Sequence, residues 1–335
     1  MRRVKRILVP VDFSRTSAAA LRAAVRVATH AKARVHLLHV CPVPHGPVET
    51  FRALRELRAE GGEGQGRKEH DTLAAWAERY GRACGKIQTW LAVGKPGDEI
   101  ALAAEQLRAD LIVMGTRGLG GLQGVLLGST AAETVRSAGV PVLTIGAGSG
   151  PGFDPRRVLV GDDLGAGGAA AIDAAGGMFD PARTRVLLLH VIDPGPFAYT
   201  GVSEWGWAPL PSIPIGDEKE LLAELEKRAA RLRRKGFRVE CLTANGSPAV
   251  LIVQAARKWR AKAIVLATHG RTALARLVIG STAEAVVRQA RCPVLTVKPA
   301  PRAESAVAAK PRGLAKDARP GGAPGPKIEA NTAVH

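Results

Sequence analysis

The chain states nearly the same pattern twice. In the first half an apolar run, Leu111-Ile-Val-Met-Gly115, leads through Thr116 and Arg117 to Gly118, and after nine intervening residues comes Gly128-Ser129-Thr130. In the second half Ile264-Val-Leu-Ala267 leads through Thr268 and His269 to Gly270, and the same interval precedes Gly280-Ser281-Thr282. The landmarks around these loops keep step. Asp12 and Asp163, like His39 and His190, lie 151 residues apart, and Gly94/Gly246, Gly128/Gly280 and Pro141/Pro293 lie 152 apart. Solenoid units run roughly 20–50 residues, far shorter than this period. Whole domains of about 100–200 residues fit it. Whatever the fold is, the chain must build it twice.

Each half alternates short apolar runs with helical patterns. In the first half the pattern predicts strands over Arg6–Val11, Arg34–Val40, Ile87–Val93, Leu111–Met114 and Pro141–Ile145. Helices are expected over Ser14–Thr29, with Ser14 as N-cap, and over Asp71–Arg82, Asp98–Leu107 and Thr130–Ser137. Alternation of this kind implies right-handed βαβ units and a parallel sheet covered on both faces. The second half repeats the order from Arg157 to Val297, with Ser247-Pro248 as a helix-start pair. Its first helix reads as weaker, because Gly165, Gly167, Gly168, Gly176 and Gly177 each lower helical preference. The expected domains are 1–147 and 155–299, joined by a linker over Gly146–Pro155. A basic Ala/Pro/Gly tail over 300–335, nearly free of bulky apolar residues, is expected to be disordered. A long Pro- and Gly-rich segment over Asp193–Ile215, carrying Trp205 and Trp207, reads as a lid or contact surface.

Composition narrows the function. Of the 335 residues 46% are hydrophobic but only 4% aromatic, so two cores can form and both must be aliphatic. No apolar run approaches the length of about 18 residues that spans a membrane, and the basic start at Met1–Arg6 precedes too short an apolar stretch for a signal peptide. It reads as a lead-in to the first strand of a cytoplasmic protein. Cys41, Cys84, Cys241 and Cys292 are spread apart without a CxxC, which suggests reduced thiols and neither a zinc site nor a disulfide framework. The net charge of +18 suits phosphate or a solvated Arg-rich surface. Nucleic acid is disfavoured as a partner, since no zinc-finger, RRM or helix-turn-helix pattern is present and aromatics for base stacking are few.

The chemistry concentrates in the repeated loop. In an open parallel sheet, ligands bind beyond the carboxyl ends of the strands where strand order reverses. Asp12 ends the first strand and Gly115 the fourth. Glycines there let backbone approach phosphate oxygens, and Gly128-Ser129-Thr130 offers unpaired N–H groups at the positive end of a helix dipole. Arg117 and Arg271 are candidate counter-charges. Ordinary capping competes with this reading, because Thr130-x-x-Glu133 and Ser281-x-x-Glu284 both fit a capping box. The paired glycines, the fixed interval and the upstream aspartate favour an anion site. Rival motifs are missing, including the Walker G-x-x-x-x-G-K-[ST], G-x-G-x-x-G after the first strand, the G-x-S-x-G elbow and any His/Cys cluster with metal-ligand spacing. His39 and His190, in the context Leu-Leu-His-Val, read as half-buried structural residues. His269 lies in the loop, but its counterpart is Arg117.

The pattern G-x2-G-x9-G-[ST], preceded by Ile-Leu-Val-Pro-Val-Asp12 and followed by Pro141-Val-Leu-Thr-Ile145, resembles the universal stress protein family in its tandem two-domain form. The likeness covers Lys5 to Lys298. It implies two tandem Rossmann-like domains of the adenine nucleotide alpha-hydrolase-like kind, each a five-stranded parallel sheet of order 3-2-1-4-5. It also implies that ATP, with Mg2+ as an optional companion, is bound. By that similarity Pro10, Val11, Asp12 and Val40 would hold the adenosine end, and Gly115, Arg117, Gly118, Gly128, Ser129 and Thr130 the phosphates. The second half offers Asp163, Val191, Ala267, Gly270, Gly280, Ser281 and Thr282, with Ala267 in place of the first glycine. Members of the family pair through their last strands, so Pro141–Ile145 and Pro293–Val297 are expected to join the halves into an internal pseudo-dimer, leaving a homodimer open as well.

The leading expectation is an ATP-binding stress-response module with an unnamed protein partner. No convincing general base, metal-binding carboxylate cluster or second-substrate pocket is evident, so catalysis would extend at most to slow ATP hydrolysis or autophosphorylation through Asp12 and the loop hydroxyls. Two alternatives stand beside it. One is a nucleotidyl-transferring or ATP-pyrophosphatase enzyme on a similar fold, against which the missing H-x-G-H and S-G-G-x-D-S loops count. The other is a nucleotide-free scaffold whose loops only cap helices.

Overall fold

The computed structural model describes residues 4–42, 65–85, 87–116, 127–146, 153, 155–193, 217–268, 279–299 and 315–316. In the first half the elements are β1 (Arg6–Val11), α1 (Arg15–Ala31), β2 (Arg34–Cys41), α2 (Gln65–Gly81), β3 (Gln88–Val93), α3 (Pro96–Gln106), β4 (Leu111–Gly115), α4 (Ser129–Ser137) and β5 (Val142–Ile145). The second half runs β6 (Arg157–Gly161), α5 (Ala166–Met178), β7 (Arg185–Ile192), α6 (Glu218–Arg233), β8 (Arg238–Asn245), α7 (Pro248–Lys258), β9 (Ala263–Ala267), α8 (Ser281–Gln289) and β10 (Val294–Val297). A two-residue strand, β11 (Ala315–Lys316), is the described part of the segment expected to be disordered, and it pairs antiparallel with Trp90 and Leu91 of β3. Among the described residues no helix is long and apolar enough to cross a membrane.

The strands form one sheet in the order β11-β3-β2-β1-β4-β5-β10-β9-β6-β7-β8. Each half therefore has the order 3-2-1-4-5, with parallel pairing throughout its own five strands. The inner strands are apolar without alternation because both faces are covered. Along β1, Ile7, Val9 and Val11 enter the core beneath α1 and α2, while Leu8 faces the cluster beneath α3 and α4.

The halves meet where β5 and β10 pair antiparallel, Leu143 opposite Leu295, so the last strands join as the sequence suggested. Thr144 Oγ1 donates to Val294 O at 3.1 Å, and Thr296 Oγ1 to Val142 O at 3.2 Å, a reciprocal pair of buried hydroxyls across the seam. Two apolar edge strands that would otherwise invite foreign pairing are closed against each other. The core beneath α1 and α5 runs through the seam, taking Leu143 and Ile145 from one half and Leu295 and Val297 from the other.

The glycine-rich first helix of the second half forms as a full α5 of 13 residues. Propensity is overridden by packing, because a Cβ on Gly168 would collide with the buried Asp162 carboxylate, and one on Gly176 would lie 3.0 Å from Leu232 Cδ2. Helix α2 begins six residues before the expected start at Asp71. Ser247 does stand at the N-cap of α7 before Pro248, but its side chain makes no capping bond. Of the expected lid over 193–215 only Asp193 is described, and most of the linker likewise lies outside the described residues.

Candidate functional site

Strand order reverses between β1 and β4, and the carboxyl ends of both open on the same rim. Val11 is buried, and Asp12 follows it, half-exposed, in the turn into α1. That turn is built alike in both halves. Phe13 has φ 62° and its counterpart Leu164 has φ 57°, a left-handed conformation that costs a bulky residue about 1–2 kcal/mol. Its recurrence with different side chains marks a geometry that the turn itself requires. Ser14 N donates to Asp12 Oδ1 at 3.1 Å, and Ser14 Oγ accepts from Ser17 N, capping α1 as expected.

His39 is more buried than anticipated, and its Nδ1–H donates to Val11 O at 2.7 Å. His190 does the same to Asp162 O at 2.7 Å. The histidines thus pin the end of the second strand to the end of the first, which is the structural role expected of them. Val40 lies beside His39, buried at the same rim, and Val191 holds the equivalent place in half-exposed form.

The loop after β4 is anchored at both ends. Thr116 N donates to Ile145 O at 3.0 Å, and Gly128 N to Thr116 O at 2.8 Å. In the second half Thr268 N donates to Val297 O at 2.8 Å and Gly280 N to Thr268 O at 2.6 Å. Arg117, Gly118, His269, Gly270 and Arg271 lie between these anchors, outside the described residues.

The capping-box alternative fails in both halves. Gly128 and Gly280, not Thr130 or a serine, occupy the N-caps of α4 and α8, and neither helix has a side-chain cap among the described residues. Glu133 turns away to pair with Lys95, and Glu284 pairs with Arg288 at 2.6 Å. The first-turn amides of Ser129 and Thr130, and of Ser281 and Thr282, therefore keep the donor capacity that a capping side chain would have taken up. The donor set suits a phosphate, with N–H groups, adjacent hydroxyls and a positive dipole end.

Gly115 has a packing reason of its own. A Cβ there would sit 3.0 Å from Thr16 Cβ and 3.1 Å from the Thr16 carbonyl carbon, so the glycine lets α1 lie close on β4. By the repeat offset the counterpart of Thr16 is Gly167, and the counterpart of Gly115 is Ala267. The bulk has changed sides of one contact. In the sequence, then, Ala267 stands opposite a glycine where Gly115 stands opposite a threonine.

The two rims differ elsewhere. Asp162 replaces Val11 and its carboxylate is fully buried, held by Arg228 from α6 through Nε–Oδ2 at 2.6 Å and Nη2–Oδ1 at 2.9 Å. The neighbouring Asp163 has Oδ1 occupied by Gly165 N at 2.9 Å and Gly168 N at 2.7 Å, capping a helix whose own N-cap is glycine. In the first half the place of Arg228 is taken by Trp76, which meets Phe13 edge-on at 5.5 Å, and Phe13 in turn lies 4.6 Å from the His39 ring.

Sequence reasoning missed one grouping. His39 and Cys41, two apart on β2 and so on one face, meet Glu69 from α2. Cys41 Sγ donates to Glu69 Oε2 at 2.6 Å, and the thiol is pushed up to about 12 by burial first and then by that carboxylate. The signal was the alternating His39-x-Cys41 at a strand end; Glu69, 28 residues further on, is brought in by α2.

A family model described as the universal stress protein family matches residues 3–146 and 155–298. A universal stress protein of Mycolicibacterium smegmatis is 31% identical over 309 residues, spanning 88% of this chain and 97% of that protein. Universal stress protein MJ0531 of Methanocaldococcus jannaschii is 36% identical over 145 residues, 42% of this chain and 81% of that protein. Among solved structures, a universal stress protein from Archaeoglobus fulgidus superposes with a TM-score of 0.66 at 21% identity, covering 88% of this chain and 96% of that one, a likeness of fold.

Proposed function

The chain belongs to the universal stress protein family, and from that premise we propose that it is an ATP-binding stress-response module of the cytoplasm, with a nucleotide site at the rim of each half. The observation that carries the reading is the pair of uncapped helix starts at Gly128 and Gly280, each tied to the end of the fourth strand of its half. A phosphate chain lying there would accept from the first-turn amides of α4 or α8. Asp12 and Val40 stand on the same rim for the adenosine end of the first site, with Pro10 and Val11 lining the strand end beneath them.

The second site has Asp163, Val191, Gly280, Ser281 and Thr282 in the matching places. One oxygen of Asp163 is engaged by two backbone amides. Asp162 and Arg228, standing where the first half has Val11 and Trp76, give the second rim a different lining, so the two sites bind the same phosphates with different affinities for the nucleoside. Among the described residues the rim supplies hydrogen-bond donors for phosphate but no histidine or lysine placed as a general base, so the module senses or stores ATP in preference to turning it over.

Calorimetry of the full chain with ATP, ADP and AMP tests the proposal. Grip on the phosphates predicts affinity falling from ATP to AMP and two classes of site. Equal affinity for the three nucleotides, or no binding, would contradict it and favour the nucleotide-free scaffold.

A further inference from the structure

We propose that His39, Cys41 and Glu69 form a binding site for one Zn2+-class divalent cation per chain, lodged in the first half between β2 and α2. Sγ of Cys41, a ring nitrogen of His39 and a carboxylate oxygen of Glu69 all lie within 4.8 Å of one another. Tetrahedral zinc with sulfur, nitrogen and oxygen ligands has ligand–ligand edges of about 3.3–3.6 Å. Glu69 Oε2 is 2.6 Å from Sγ and 3.9 Å from His39 Nε2. A shift of that carboxylate by less than about 1 Å brings both edges into this range, and the Sγ–Nε2 edge, within 4.8 Å, needs a side-chain movement of no more than about 1.5 Å.

The tautomer of His39 is suited to the task. A carbonyl oxygen can only accept, so the contact with Val11 O places a ring proton on Nδ1 and makes Nε2, 3.9 Å from Glu69 Oε2, the nitrogen that would face a metal. A metal-binding histidine is commonly oriented by such a bond from its other nitrogen. Cys41 Sγ–H now donates to Glu69 Oε2; binding releases that proton to water, and the cation takes its place with thiolate, carboxylate and imidazole as three ligands. The Phe13 ring lies 4.6 Å from the His39 ring, with Trp76 edge-on to Phe13, so His39 has an apolar neighbour. Glu69 keeps about a fifth of its side-chain surface exposed, so an ion can reach its carboxylate from solvent, and water would complete the coordination.

The repeat supplies an internal control. The second half retains the histidine, as His190 with the same backbone bond, but the counterparts of Cys41 and Glu69 are Ile192 and Leu221. The framework histidine is common to both halves, and only the first adds the sulfur and the carboxylate. A donor set of this softness selects zinc or cobalt over magnesium or calcium.

The test uses the full chain, stripped with a chelator, kept reduced, and titrated with Co2+. The expected result is one Co2+ per chain, with visible bands of a tetrahedral ion and a near-ultraviolet thiolate-to-cobalt charge-transfer band, all displaced by Zn2+. Cys41→Ser removes the charge-transfer band, and Glu69→Gln weakens binding at least about tenfold. The triple variant Cys84→Ser, Cys241→Ser, Cys292→Ser keeps Cys41 as its sole thiol and retains the band, which holds the test open should Cys41→Ser fail to fold. Absence of the band in the folded wild type, its survival in Cys41→Ser, or its loss in the folded triple variant would each overturn the assignment. The result stands apart from nucleotide binding, because the cobalt spectrum is read without ATP.

Discussion

Placing a carboxylate at the N-cap of α4 separates the two employments of that helix start. Gly128 has φ −64° and ψ 147°, an extended conformation open to any residue, so Gly128→Asp fits the backbone without strain. The new side chain accepts from a first-turn amide and faces the positive dipole end, and the helix gains about 0.5–1 kcal/mol. For a nucleotide the same change is adverse twice. One carboxylate about 5 Å from a phosphate charge, at an effective dielectric near 30, repels it by about 2 kcal/mol. The amide now taken by Asp forgoes a charge-assisted hydrogen bond of about 1.5–3 kcal/mol. Together these exceed about 3 kcal/mol, a loss of more than ~100-fold in affinity for that site. Gly128→Asn makes the same capping bond without the charge and falls between the two. Calorimetry with ATP beside thermal unfolding reads both effects: the first site disappears while the melting temperature holds or rises. A Gly128→Asp chain that is folded and binds ATP at the first site within threefold of wild type would refute the reasoning.

Three further outcomes follow from the geometry. Arg228→Ala leaves the fully buried Asp162 carboxylate unpaired and costs about 3–5 kcal/mol, whereas Asp162→Val with Arg228→Trp, copying Val11 and Trp76, recovers most of the loss in urea unfolding. Gly115→Ala drives a methyl onto Thr16 and destabilises by about 1–3 kcal/mol; adding Thr16→Gly, the arrangement of Ala267 with Gly167, restores part of it, read as melting temperature. His36 is held below its ordinary 6.5 by burial, then by Arg6 and Arg34, so the unfolded chain takes up a proton that the folded chain refuses. Stability is therefore full above 6.5 and declines as pH falls below it, and His36→Leu, the residue found at Leu187, flattens that slope in denaturation midpoints measured across the range.

The architecture was legible because it was stated twice in a chain with continuous apolar strands. Runs such as Ile7–Val11 and Leu111–Met114 have neither the alternation of a half-exposed strand nor the length of a helix, and two covered faces follow from that. What escaped was what depends on distant partners. The glycines of α5 looked destabilising because nothing local reveals that Gly168 must clear the Asp162 carboxylate. Gly115 looked like a concession to a ligand, and its contact with Thr16 comes from the packing of α1 on β4. Thr130-x-x-Glu133 matched a capping box letter by letter, yet the N-cap is Gly128, two residues earlier, and Lys95, from the loop before α3, claims the glutamate. Glu69 joined His39 and Cys41 only once α2 had been laid over β2.

Hydrogen exchange at the starts of α4 and α8 measures the central claim most directly. The first-turn amides of an uncapped helix have no intrahelical acceptor and exchange quickly, and a bound phosphate is the acceptor they lack. ATP is expected to slow exchange in segments covering 127–133 and 279–285, and AMP to do so less. Rapid exchange there at saturating ATP, with protection appearing elsewhere, would contradict it.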